Sequence, residues 1–252
     1  MILHISKLFI ILISVIIYLN DAWAADHRNL ESGFPTRIED AYPISFRSLE
    51  FQTKSEYERE GDHGTNAVKI IPELKWGLIK NAHVALATPL LFSESRKGQQ
   101  NGDVELEGLY NFNVETQSLP AFAFKGGVRI PSGVGSNKTN YELLGIVTRG
   151  FGEHRFHLNI GYERKNQRES GENSDNYTFG LGFDTPINLD TLFTADFLGE
   201  APHDKSDSLA TFIIGARKQI NPWSVLNFGI GSGFGGADTP DFISTLGFQI
   251  NF

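Results

Sequence analysis

Cysteine is absent from all 252 residues, which excludes a disulfide framework and thiolate metal sites. Such a composition suits a chain that crosses an oxidising periplasm unfolded. Beyond residue 24 no run approaches eighteen consecutive apolar residues, so no transmembrane helix can be drawn. Positive charge is in deficit: 22 Lys and Arg stand against 30 Asp and Glu, a net charge of -8 that argues against a nucleic-acid partner. Helical periodicity is scarce throughout. What is abundant is glycine, at 26 residues, and phenylalanine, at 20, in a length that all-β barrels commonly use as one domain.

The first 24 residues read as a signal peptide: Lys7 forms a positive start, Leu8 to Leu19 an apolar run, and Ala22-Trp23-Ala24 a small-residue cleavage site. The apolar run holds about twelve residues, whereas a spanning helix needs about 20, so an uncleaved anchor fits less well. The mature chain is expected to begin near Ala25.

The rest is a series of short segments with period-2 alternation, separated by clusters of Gly, Asn, Asp and Ser. The clearest carries Val68, Ile70, Pro72, Leu74, Trp76 and Leu78 on one face. Others follow at Ala82 to Phe92, Val104 to Val114, Phe122 to Ile130, Phe156 to Tyr162, Tyr177 to Ile187, Ala210 to Ala216, Leu226 to Phe234 and Leu246 to Phe252. Leu49 to Thr53, Tyr141 to Thr148, whose face is ambiguous, and Phe193 to Gly199 are weaker and bring the expected total to about twelve strands.

Connection lengths alternate. Long polar stretches near Glu56 to Thr65, Ser93 to Gly102, Ser132 to Asn140, Lys165 to Asn176, Gly199 to Ser208 and Gly235 to Asp241 are interleaved with short turns at Lys80-Asn81, Thr116 to Pro120, Gly150 to His154, Asn188 to Asp190 and Asn221-Pro222. Long external loops and short periplasmic turns are the pattern of a Gram-negative outer-membrane barrel. A soluble sandwich or lipocalin-like barrel also alternates, but twelve strands with aromatic-rich apolar faces would enclose a lumen too wide to fill. The sequence therefore predicts an all-β transmembrane antiparallel barrel over residues 44–252, in the outer membrane among lipid and lipopolysaccharide. Phe248, Ile250 and Phe252 share one face of the last strand and resemble the signal read by the barrel assembly machinery.

Residues 25–43 alternate poorly and carry Asp26, Arg28, Glu31, Arg37, Glu39 and Asp40, which predicts a periplasmic tail or an inward plug. The stretch Asn29-Leu30-Glu31-Ser32-Gly33-Phe34-Pro35-Thr36-Arg37-Ile38-Glu39-Asp40-Ala41-Tyr42-Pro43-Ile44 resembles the opening segment of transporter-like outer-membrane proteins named for a MetA pathway of phenol degradation. Lys125-Gly126-Gly127-Val128-Arg129-Ile130-Pro131-Ser132-Gly133 is similar to that family's strand ending in Pro-Thr-Gly, with Ser132 in place of the usual Thr. The resemblance implies a barrel that passes small hydrophobic or aromatic solutes.

If the apolar faces meet lipid, the opposite faces place Lys69, Glu73, Lys75, Glu105, Glu107, Asn111, Lys125, Arg129, Asp184, Asp196 and Arg217 in the lumen. A turn at Gln117-Ser118 would set Glu107 opposite Arg129 and Asn111 opposite Lys125, the opposed charges of the first pair contributing about 0.2–1 kcal/mol. These charges either brace the barrel as an ion network or form a solute-selecting constriction. No catalytic set is expected. His157-Leu158-Asn159 faintly resembles the His-x-Ser of lipid A deacylases, but Asn159 stands where the nucleophile belongs, His83 is isolated on a lumen face, and His154 and His157 read as strand-end residues. No metal or cofactor signature is present. Asp175, Asp204, Asp207 and Asp238 fall on the external side, as solvated loop charges or as cation bridges to lipopolysaccharide.

Overall fold

The computed structural model describes residues 24–60, 66–93, 99–133, 136–166, 175–200, 209–235 and 239–252. The signal-peptide reading, apart from Ala24, lies outside them, as do Asp204, Asp207 and Asp238. Strands form where apolar and polar residues alternate, because only that pattern serves lipid on one side and a polar interior on the other. They are β1 Leu49–Glu60, β2 Asn66–Ile79, β3 Ala82–Ala87, β4 Leu90–Ser93, β5 Gln99–Asn101, β6 Val104–Asn111, β7 Ala121–Ile130, β8 Asn140–Phe151, β9 His154–Arg164, β10 Asp175–Asn188, β11 Thr191–Glu200, β12 Leu209–Asn221, β13 Ser224–Phe234 and β14 Pro240–Asn251.

Each strand pairs antiparallel with its neighbours, and β1 joins both β2 and β14, which closes the sheet. β3 and β4 are one barrel strand interrupted at Thr88-Pro89, and β5 and β6 one interrupted at Gly102-Asp103, so the segments make a closed barrel of twelve strands. Among the described residues every strand but the three-residue β5, which pairs only with β4, is bonded on both sides, as hydrocarbon requires of a spanning sheet. Outside runs an apolar belt that includes Trp76, Leu106, Phe124, Ile160, Leu181, Phe197, Phe228 and Leu246, each 40–60 % exposed.

Two sequence expectations are corrected and one ambiguity is resolved. β1 reaches Glu60 rather than Thr53, so Glu56 belongs to the wall and not to a loop; its outward face carries Thr53 and Ser55, which weakens the apolar alternation. β6 and β7 pair with Glu105 opposite Arg129, Glu107 opposite Gly127, Leu109 opposite Lys125 and Asn111 opposite Ala123, two residues from the expected register. The chain does reverse at Gln117-Ser118, where Thr116 N–H bonds Leu119 O at 2.8 Å, but between that turn and the ladder Pro120 has no N–H to offer and the Asn113 side chain substitutes, bonding Pro120 O at 2.8 Å and Phe122 N at 3.1 Å. Because the shift is even, every side chain keeps its face. Finally, β8 is ambiguous in sequence because it is apolar on both sides: Leu143 and Val147 face out, while Leu144 and Ile146 join an interior patch with Leu109, Ala121 and Ala123.

Candidate functional site

The interior patch is covered by Ala41 and flanked by Tyr42, residues of the segment before β1, and this segment organises the whole lumen. It starts at the short-turn rim, where Ala25 N–H bonds Pro222 O at 2.8 Å. It crosses β12, where buried Arg217 donates to His27 O at 2.9 Å and Phe34 O at 2.7 Å. Arg37 N–H reaches Asp196 on β11 at 2.5 Å, and its guanidinium pairs with Glu56 at 3.2 Å and Glu58 at 2.5 Å on β1. The chain then runs past β9, β8, β6 and β3. Asn159 pairs reciprocally with Glu39, accepting its N–H and donating to its carbonyl, both at 2.9 Å. Asn111 donates to Ala41 O at 2.7 Å, and Ile44 N–H meets His83 Nδ1 at 3.3 Å. Lumen side chains thus act as the hydrogen-bonding partners that an irregular backbone at membrane depth requires.

The segment returns to the same rim before β1. Arg47, in the left-handed region at φ 68°, donates its N–H to Gly77 O at 2.7 Å. A Cβ on Gly77 would fall 1.9 Å from Ser45 O, so only glycine admits this close passage.

Every charged or polar lumen residue expected from the sequence faces inward, and most are gathered into ion clusters. In the first, Glu31 and Glu73 flank Lys75; Glu73 also meets Lys54 at 2.7 Å, and Gln52 Nε2 donates to both carboxylates. Burial works to raise the Glu31 carboxyl, but Lys75 and Lys54 outweigh it and hold it near 2. In the second, Lys125 bonds Glu39 at 2.5 Å and Glu107 at 3.4 Å. In the third, Arg129 gathers Glu105 at 3.3 Å, Glu142 at 3.0 Å and Glu163. Lys69 has no carboxylate within ion-pair distance among the described residues.

The fourth cluster forms a closed circuit. Asp40 Oδ2 meets Arg155 Nη1 at 3.2 Å, Arg155 Nε meets Asp184 at 3.0 Å, Asp184 accepts from His157 Nε2 at 2.6 Å, His157 Nδ1 lies 3.0 Å from Thr148 Oγ1, and that oxygen accepts Ala41 N–H at 2.9 Å. It begins and ends on adjacent residues of the segment. His157 is therefore a fully buried mid-lumen residue rather than a strand-end one, and its hydroxyl partner comes from the neighbouring strand. The hydroxyl–imidazole–carboxylate order is that of a hydrolase relay, yet the hydroxyl is covered by segment backbone. Thr148→Val would leave Ala41 N–H buried and unbonded, at a cost of about 1–3 kcal/mol. Amide exchange at Ala41 should accelerate at least about fivefold; unchanged protection would show that the circuit does not hold the segment.

Sequence reading missed the wall residues Glu50, Gln52, Lys54, Glu142, Arg155 and Glu163, although extending the alternation of β1, β8 and β9 outward identifies them. On the loop side of the segment a 340 Å³ cavity remains, floored by Gly33 and Arg37 and walled by Lys54, Lys69, Arg129, Glu163 and Glu200. Asp175, expected in a loop, heads β10 and bonds Arg164 and Tyr162. Phe248 and Ile250 lie on the outward face of β14, and Phe252 follows its end, with N–H and C=O both bonded to Leu49.

A closed twelve-stranded sheet with an apolar belt and a charged interior is a barrel of the outer-membrane type. No family model and no curated protein matches the sequence. The fold is similar to that of the COG4313 outer membrane channel from Pseudomonas putida F1, with TM-score 0.68 and 12 % identity over 89 % of this chain and 100 % of that one. It is also similar to the KdgM porin, with TM-score 0.57 and 12 % identity over 81 % of this chain and 99 % of the porin. The CymD monoaromatic hydrocarbon channel gives TM-score 0.53 and 8 % identity over 82 % of this chain and 89 % of that one.

Proposed function

We propose that this protein is a passive outer-membrane channel for small hydrophobic or aromatic solutes, held closed at rest by its own residues 25–48. The observation that carries the reading is the segment itself. Between its two backbone-anchored ends it is fastened to the wall through side chains rather than through strand pairing, so that stretch can leave without breaking the barrel. The resemblance to the MetA-type transporters and the likeness in fold to the CymD monoaromatic hydrocarbon channel support this solute class. The charged interior and the covered Thr148 hydroxyl support transport over catalysis. In this reading the outward face of Phe248, Ile250 and Phe252 serves assembly, and the exterior contacts lipid and lipopolysaccharide. A second reading, a sealed barrel braced by its ion clusters, is favoured by the number of buried pairs.

Liposome swelling with purified, refolded protein separates the two. A phenol-like aromatic, a neutral sugar and a charged solute should enter at different rates, with the aromatic fastest. Vesicles that stay sealed to all three, while the unheated protein migrates faster than the boiled form on a denaturing gel, would establish the sealed barrel instead.

A further inference from the structure

Within the lumen the side chain of Phe34 is held more closely than packing alone requires. It is wholly buried, and the Arg217 guanidinium lies over its ring at 4.8 Å from the centroid. The wall beside it is cut away: a Cβ on Gly247 would fall 2.3 Å from the ring carbon Cε2 and 2.6 Å from the Asn227 amide nitrogen. On β12, one strand beyond β13, a Cβ on Gly215 would fall 2.6 Å from Pro35 Cγ. Arg217 and Asn227 are opposite each other in the β12–β13 ladder, which places a cation and an amide in one recess.

Two features of the recess are unsatisfied by the segment. Among the described residues, neither the Asn227 oxygen nor its nitrogen has a hydrogen-bond partner, although the residue is 1 % exposed. Arg217 is buried with no carboxylate within ion-pair distance among the described residues; its acceptors are neutral, His27 O, Phe34 O and Gln249 Oε1 at 3.0 Å. A buried cation bonded only to neutral groups is poised for an anion.

We propose that this recess is a binding site for aryl-alkanoates, with Phe34 as its built-in occupant. Phe34 presents Arg217 with a ring and, four bonds further along, a carbonyl oxygen. 3-Phenylpropanoate has the same ring and the same spacing, and adds the negative charge that Phe34 lacks. Asn227 supplies a donor and an acceptor to a polar substituent on the ring. Solute and segment then compete for one place. The inference rests on the channel reading for how solute arrives: Lys69, in the wall of the loop-side cavity, gives an anion a first partner.

The test is titration calorimetry of the refolded full chain with 3-phenylpropanoate. Wild type should bind weakly, and Phe34→Ala should bind at least about tenfold more tightly, since the competitor is gone. Arg217→Gln in the Phe34→Ala background should lose at least that gain, and 3-phenylpropanol should bind worse than the acid. Should Phe34→Ala fail the heat-dependent gel shift, Phe34→Leu, which keeps apolar volume without a ring, takes its place. Affinity unchanged by removing the ring, or indifferent to Arg217, overturns the site. If Phe34→Ala vesicles swell but the protein does not bind the acid, the channel stands and this site falls. If the acid binds but no variant conducts, the site stands and the channel reading falls.

Discussion

Lys75→Met should release the N-terminal segment while leaving the barrel folded. Lys75 sits with Glu31 and Glu73 at about 5 % side-chain exposure, so its removal strands negative charge away from water. Breaking a buried pair by deleting one partner costs about 3–5 kcal/mol, because the other charge stays behind. The two carboxylates do not share that cost equally. Glu73 keeps Lys54 at 2.7 Å, whereas Glu31 keeps only the Gln52 amide at 2.5 Å. Glu31 is also the partner that can move, since it belongs to the segment and not to the wall. Trypsin should therefore cut after Arg28 and Arg37 in the variant and not in the wild type, with the heat-dependent gel shift intact. Glu31→Leu added to Lys75→Met should restore protection, and the double-mutant cycle isolates the pair. Equal protease resistance in Lys75→Met and wild type would show that this cluster does not fasten the segment.

Leu181→Arg should impair membrane folding more than any single lumen substitution away from the ion clusters. Leu181 is 49 % exposed on the outward face, midway along β10, and is in register with Leu158 and Phe197 on the adjoining strands. Arginine at the midplane of a lipid-facing strand costs about 2–4 kcal/mol. Urea titration in lipid vesicles should show a loss of that size. A loss under about 0.5 kcal/mol would place Leu181 off the midplane or turn the face inward.

That face was legible in the sequence, because Tyr177, Phe179, Leu181 and Phe183 alternate with residues small or polar enough to face inward. The inward side was legible only as a set of charges. Lys125 and Arg129 were recognisable as lumen residues from parity, yet their partners depend on a hairpin register set between turn and ladder by Pro120 and the Asn113 side chain. Glu39, Glu142 and Glu163 meet them from other strands or from the segment, at sequence separations that no alternation encodes. The segment itself was hardest to read. It pairs with no strand, so it shows no period of two, and the glycines at 215 and 247 that receive it resemble any others in a glycine-rich chain.

The path of residues 25–48 has a topological consequence. Both its ends are fastened at the short-turn rim, at Pro222 on one side and at Gly77 and the start of β1 on the other. It therefore hangs in the barrel as a bight of rope hangs in a well, with nothing threaded through. Withdrawal toward the short-turn side needs no passage of a chain end past the long loops and no cut in the hydrogen-bonded wall, whereas exit in the other direction would drag the anchored ends through the lumen. A force or partner acting from the short-turn side can empty the pore, and one acting from the loop side can only press the bight deeper.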